Sequence, residues 1–121
     1  MNDTEVKHYE MVKTLVKNPN EILGNLDETK VDYLHGVLGV VTEAGELADA
    51  LKKVLIYNRP TDLENIIEEL GDLEFYMAQI RQRFSISREQ TLQANLYKLS
   101  KRYPKFSYTD QRATERADKI E

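Results

Sequence analysis

The chain has no cysteine. Disulfides, thiolate nucleophiles and thiolate zinc sites are thereby excluded. Glycine and proline are scarce, five and three among 121 residues. So few turn residues favour long helices over a sheet. No apolar run approaches the length of a membrane span, and the N-terminus lacks the apolar core of a secretory leader. A basic surplus is also missing. Lys and Arg number 17 against 21 Asp and Glu, a formal net charge of −4. This mild acidity argues against a general nucleic-acid binder, which would carry a basic patch. It leaves open a small phosphate-bearing ligand, because a bound cation reverses the local sign. No Walker-type glycine-rich loop is present. The expectation is a cytoplasmic protein with neither a nucleic-acid nor a membrane partner.

The hydrophobic fraction is 40% and the charged fraction 31%, as in an ordinary folded domain. Apolar periodicity then divides the chain. Val6, Tyr9, Val12 and Val16 form a thin stripe on a first helix, about residues 3–17, ended by Asn18-Pro19-Asn20. A loop is expected through Gly24 to Leu26. A second helix starts at Asp27 or Thr29 and runs to Ile56, with Val31, Leu34, Val37, Leu38, Val41, Ala44, Ala48, Leu51 and Leu55 on one face. Asn58-Arg59-Pro60 makes a turn. Thr61 and Glu64 fit a capping box for a third helix bearing Leu63, Ile66, Ile67, Leu70, Leu73, Met77, Ile80 and Phe84. Ser87 and Gln90 suggest another box, opening a fourth helix that ends near Tyr103-Pro104. Residues 105–121 read as a polar tail or a short helix packed on a partner. The reading is all-α: one domain over 1–121, with a four-helix core at about 28–104. The second and third helices are joined by a short turn and should lie antiparallel. Their apolar positions are too many for one small bundle to cover, which predicts a dimer or larger.

Those two helices hold the chemistry. Glu43 and Glu46 are three apart, hence on one helix face, and Glu69 and Asp72 repeat the relation on the next helix. Both pairs adjoin the apolar stripe, so antiparallel packing would bring them to one cleft. Four carboxylates so placed repel one another, and burial raises their pKa values. A hard divalent cation with oxygen ligands, Mg²⁺ above all, removes the conflict. Gly45 and Gly71 lie inside the acidic motifs, each costing a helix roughly 1 kcal/mol against alanine. Close backbone approach there would explain the cost.

At these residues the sequence resembles the MazG-like all-α nucleoside triphosphate pyrophosphohydrolases, whose pattern is ExxE on one helix and ExxD on the next. Here it reads Glu43-Ala-Gly-Glu46 and Glu69-Leu-Gly-Asp72. The flanking Leu-Ala-Asp-Ala-Leu-Lys-Lys53 is typical of the family, and Asn95-Leu-Tyr-Lys98-Leu-Ser-Lys-Arg102 resembles its asparagine-lysine-arginine segment. The resemblance covers roughly residues 30–106. It implies a four-helix fold that forms homodimers or homotetramers through its long helices. It implies hydrolysis of a (deoxy)nucleoside triphosphate to the monophosphate and pyrophosphate, as in nucleotide-pool house-cleaning. Glu43, Glu46, Glu69 and Asp72 would hold Mg²⁺, with Mn²⁺ as a substitute, and Glu43 and Glu46 would be catalytic. Lys53, Lys98 and Arg102 would contact phosphates, and Asn95 the sugar or base. Many members carry a glutamate before the first motif glutamate, a candidate for orienting water. Here Thr42 stands there, which leaves that task to Glu43 or to water activated on the metal.

Each feature also has a plainer reading. Lys53 fits a surface pair with Asp49, Lys98 and Arg102 a solvated basic face, and Tyr103, Phe106 and Tyr108 aromatic packing where the chain leaves the core. His35 fits a satisfied core histidine. Two rival functions follow. The first is a catalytically inactive helical interaction module of the same fold, kept open by Thr42. The second is a di-iron carboxylate protein, suggested by the i, i+3 pairs Glu5/His8 and Asp32/His35.

Overall fold

In a computed structural model the structure describes residues 1–119. Ile120 and Glu121, the end of the expected tail, lie outside the described residues. The described chain is all-helical: α1 (Asp3–Leu15), α2 (Pro19–Asn25), α3 (Glu28–Leu55), α4 (Leu63–Arg83), α5 (Arg88–Arg102) and α6 (Asp110–Glu115). Short 3-10 turns follow at Pro104–Phe106 and Ala117–Lys119. No described helix is long and apolar enough to cross a membrane.

The chain divides into two compact units, Met1–Val31 and Asp32–Glu121. In the first, Asn2 caps α1 through a full capping box with Glu5. The Asn2 side chain accepts from the Glu5 amide at 2.9 Å, and the Glu5 carboxylate accepts from the Asn2 amide at 2.8 Å. Residues 19–25, expected as a loop, form α2 instead. Pro19 occupies the first turn, where its missing N–H costs nothing, and the Asn18 side chain caps it. A proline that ends one helix has started the next.

In the second unit α3 and α4 form the expected antiparallel hairpin. Asp32 meets Gln79 and Arg83, Gly36 faces Ile80, Gly39 faces Tyr76, and Glu43 faces Glu69. Rising numbers on α3 thus pair with falling numbers on α4. The α4 cap is Asp62, accepting from the Asn65 amide at 3.1 Å, not the Thr61/Glu64 box. An aspartate one residue on carries charge to the positive helix end, where it is the stronger acceptor. The Ser87/Gln90 box stands at the start of α5, as expected.

The segment after α5 folds back as part of the unit. Asp118 accepts from Arg102 Nε at 2.7 Å and Nη2 at 3.2 Å. Arg116, in left-handed backbone conformation, backs the same carboxylate at 3.4 Å. The Asp118 side chain is only 1% exposed. Its two guanidinium neighbours, Arg102 first, hold its pKa well below the ordinary aspartate value despite the burial. Polar composition had hidden this lock, because charged residues read as solvated until their partners are known.

Ala50, at 8% exposure, is the only buried apolar side chain among the described residues. The apolar stripe of α3 is exposed, for example Val41 at 64%. It lies opposite the face of Asp32, Gly36, Gly39 and Glu43 that meets α4, so, contrary to expectation, the first acidic pair does not adjoin it. The α4 stripe is partly exposed, for example Ile67 at 61%.

Candidate metal centre

The centre is built by periodicity. Glu43 and Glu46 share one face of α3, Glu69 and Asp72 one face of α4, and the hairpin lays the faces together. Glu43, Glu69 and Asp72 each bring one carboxylate oxygen to within 4.8 Å of the others. Glu43 and Glu69 are half-buried and Asp72 is exposed. Glu46 lies outside this tight group and is exposed, though its charge is felt at Glu69.

Glu69 is the revealing member. Its Oε2 atom is buried with no hydrogen-bond partner. Desolvation first, then the neighbouring Glu43 carboxyl, then the charges of Asp72 and Glu46 push its pKa above the ordinary glutamate value. A buried unsatisfied oxygen is costly, and crowded carboxylates add repulsion. No basic side chain among the described residues pairs with Glu43, Glu69 or Asp72. A hard cation with oxygen ligands fits this donor set, because it answers the orphaned oxygen and the surplus charge together.

The other expected residues are placed differently. Lys53 forms an ion pair with Asp49 at 3.3 Å, both ends largely exposed. Beside it, an open depression is lined by Lys53, Tyr57, Asn58 and Arg59 and contains none of the carboxylates. Asn95 and Lys98 are exposed on α5 and make no hydrogen bond or ion pair to the acidic group among the described residues. Arg102 is bound side-on by Asp118. The Thr42 hydroxyl donates to the Gly39 carbonyl at 3.0 Å, so it is engaged with its own helix.

Of the two carboxylate–histidine pairs, Glu5 is occupied in the α1 cap. Asp32 accepts from Arg83 Nε at 2.6 Å and Gln79 Nε2 at 3.1 Å, and these bonds, Arg83 first, lower its pKa. His35 Nδ1 lies 3.4 Å from the same Gln79 nitrogen, and its ring packs edge-on against Tyr76. Carboxylates saturated in this way do not resemble metal ligands.

The close approach expected at Gly45 and Gly71 is absent: a Cβ there would meet nothing within 4 Å. It occurs at Gly36 and Gly39, both buried on α3. Sequence reading passed over this pair. Its signal was two glycines three apart on the helix face that also carries Asp32 and Glu43, where a helix interior normally disfavours glycine.

Searches of curated proteins and of solved structures each found no match. A family model does match, over residues 32–107, which takes in all four carboxylates, Lys53 and the Asn95–Arg102 stretch. That span is well over half the chain and begins where the second compact unit begins. The chain therefore belongs to the MazG nucleotide pyrophosphohydrolase domain family.

Proposed function

We propose that the protein is a Mg²⁺-dependent nucleoside triphosphate pyrophosphohydrolase, cleaving a (d)NTP with water to the (d)NMP and pyrophosphate. The observation that carries this reading is the orphaned Glu69 oxygen within a group of three carboxylates that have no cationic partner. Glu43, Glu69 and Asp72 hold the cation, and Glu46, one turn along α3, completes the acidic face. Mg²⁺ is the expected ion, with Mn²⁺ as a substitute. When bound, the cation neutralises phosphate charge and lowers the pKa of coordinated water.

The chain's own residues do the rest. Glu43, half-buried beside Glu69, orients the attacking water, while the Thr42 hydroxyl is engaged with the Gly39 carbonyl of its own helix. Lys53 and Lys98 bring positive charge to the phosphate chain, and Asn95 offers an amide to sugar or base. Arg102 Nε and Nη2 are taken by Asp118, so this residue offers a phosphate chiefly its Nη1 edge. In this reading the protein clears unwanted nucleotides in the cytoplasm.

The active form is a homodimer or homotetramer built through α3 and α4, whose cores join as a four-helix bundle. The support is the scarcity of buried apolar side chains. A domain with 40% hydrophobic residues and one buried apolar side chain among those described is half of a packing solution. A second copy of the same faces supplies the rest, and it can also bring Asn95 and Lys98 to a site they do not touch within one chain.

The deciding assay is pyrophosphate release across a panel of nucleoside triphosphates, with and without Mg²⁺. Metal-dependent pyrophosphate, not orthophosphate, is expected, and Glu46→Gln or Asp72→Asn should abolish it in folded protein. Full activity in both variants would reject the carboxylate assignment. Thr42 keeps one alternative alive, an inactive interaction module. Calorimetry with Mg²⁺ and a non-hydrolysable triphosphate separates the two, since a module has no reason to bind either.

A further inference from the structure

The acidic group lies one helical turn from an unusual contact. Gly39 stands four residues before Glu43 on α3, and Tyr76 stands four residues after Asp72 on α4, about 6 Å along each helix. A Cβ built on Gly39 overlaps the Tyr76 ring at Cγ, Cδ1 and Cε1. The ring therefore occupies the volume that any other residue would fill. It is held from the sides as well, edge-on to Phe75 at 5.1 Å and to His35 at 5.8 Å between centroids. Cγ is fixed to the Tyr76 Cβ, so the ring cannot leave the notch by a small adjustment. Either χ1 changes rotamer against its neighbours or the helices move apart. Gly36 makes a useful contrast. Its added Cβ would meet Ile80 Cγ1 at 2.7 Å, a shallower overlap than at Gly39, and Gly36 stands seven residues before Glu43.

We propose that Gly39 is a positioning residue for the metal centre: by admitting the Tyr76 ring it sets the α3–α4 separation at which Glu43 reaches Glu69 and Asp72. This inference rests on the proposed metal-dependent function. It adds which residue holds the ligands at bonding separation. Metal sites tolerate little slack, about 0.5 Å in a supporting shell, so a spacer one turn away governs affinity although it touches no ion. The same notch explains why glycine is kept inside α3 at a site where neither turn nor positive φ requires it.

The test uses the full chain and two readouts. The first is Mn²⁺ affinity, by calorimetry or by the paramagnetic signal of free Mn²⁺. The second is a nitroxide–nitroxide distance between labels at Asp49→Cys and Glu68→Cys, exposed positions on α3 and α4 in a chain with no other cysteine. Gly39→Ala should lengthen the distance and weaken Mn²⁺ binding at least about tenfold, the usual scale for a lost supporting contact. Gly36→Ala, a shallower overlap about two turns from Glu43, should shift both by clearly less than Gly39→Ala does. The double variant Gly39→Ala/Tyr76→Ala removes the obstructing ring and should recover distance and affinity together, even if Gly39→Ala alone fails to fold. Unchanged Mn²⁺ affinity in folded Gly39→Ala overturns the inference, as does a folded double variant whose affinity stays lost. A wild-type chain that binds no Mn²⁺ overturns the proposed function beneath it, and the distance readout keeps that failure separate.

Discussion

At the start of α3, Asp32 is met by Arg83 at 2.6 Å and by Gln79 at 3.1 Å. Three turns further on, Glu43 meets Glu69 and Asp72, and no described basic side chain pairs with any of them. One interface thus treats its carboxylates in two ways. The first is satisfied by the chain itself, with its pKa lowered by the partner. The second is left crowded and partly dry, with the Glu69 pKa raised. Removing charge should therefore act in opposite directions at the two places. A satisfied carboxylate supports the fold, whereas a frustrated one weakens the fold until a ligand arrives.

The largest expected effect lies at the frustrated end. Glu69→Gln should reduce pyrophosphate release by at least about 100-fold, beyond the range seen for groups that only support a metal ligand. The metal-free protein should melt no lower than wild type, since an orphaned carboxylate has been neutralised. Calorimetric melting beside the activity assay checks both halves. A clear loss of metal-free stability would erase the contrast with Asp32.

At the satisfied end, Asp32→Asn should lower the melting temperature by several degrees and leave Mn²⁺ affinity near wild type. A parallel loss of affinity would mean that the two ends are coupled and the comparison is too simple.

Acid sharpens the distinction between paired and unpaired groups. Asp118 has a folded-state pKa below the ordinary aspartate value of 3.8, through Arg102 and then Arg116. Its stabilisation is present above that ordinary value and is lost as pH falls through it toward the folded-state pKa. The wild type should thus lose stability as pH drops below about 4, and Asp118→Asn should flatten that limb. Melting curves from neutral pH to pH 3 decide the matter, and an unchanged limb in the variant refutes the assignment.

The smallest effect belongs to Asp49 and Lys53, an exposed i, i+4 pair. Asp49→Ala should cost less than about 0.5 kcal/mol by denaturant unfolding. Lys53→Ala should instead raise KM for the triphosphate, and an unchanged KM would return Lys53 to the solvated surface.

Much of this was legible beforehand for a definite reason. The acidic pairs and the apolar stripe are local in sequence. Spacing of three and four residues places side chains on a helix face whatever the helix packs against. The Ser87/Gln90 box was readable on the same ground. The α2 segment was missed because Asn18-Pro19 serves equally as a stop and a start. The C-terminal lock was missed because Arg102 and Asp118 are sixteen residues apart and each reads as polar surface until the chain turns back. The glycines drew attention at the wrong positions. Gly45 and Gly71 stand inside the motif, but a glycine's use depends on what faces it.

By itself, then, the sequence determined that the chain is helical, that two long helices adjoin, and that each presents a pair of acids. These follow from rise and turn along single helices. The tertiary structure alone decided which three carboxylates converge, which oxygen is stranded, which arginine is already occupied, and that Gly39 receives the Tyr76 ring. Those are distances between segments remote in the chain, set by how side-chain volumes fit across an interface.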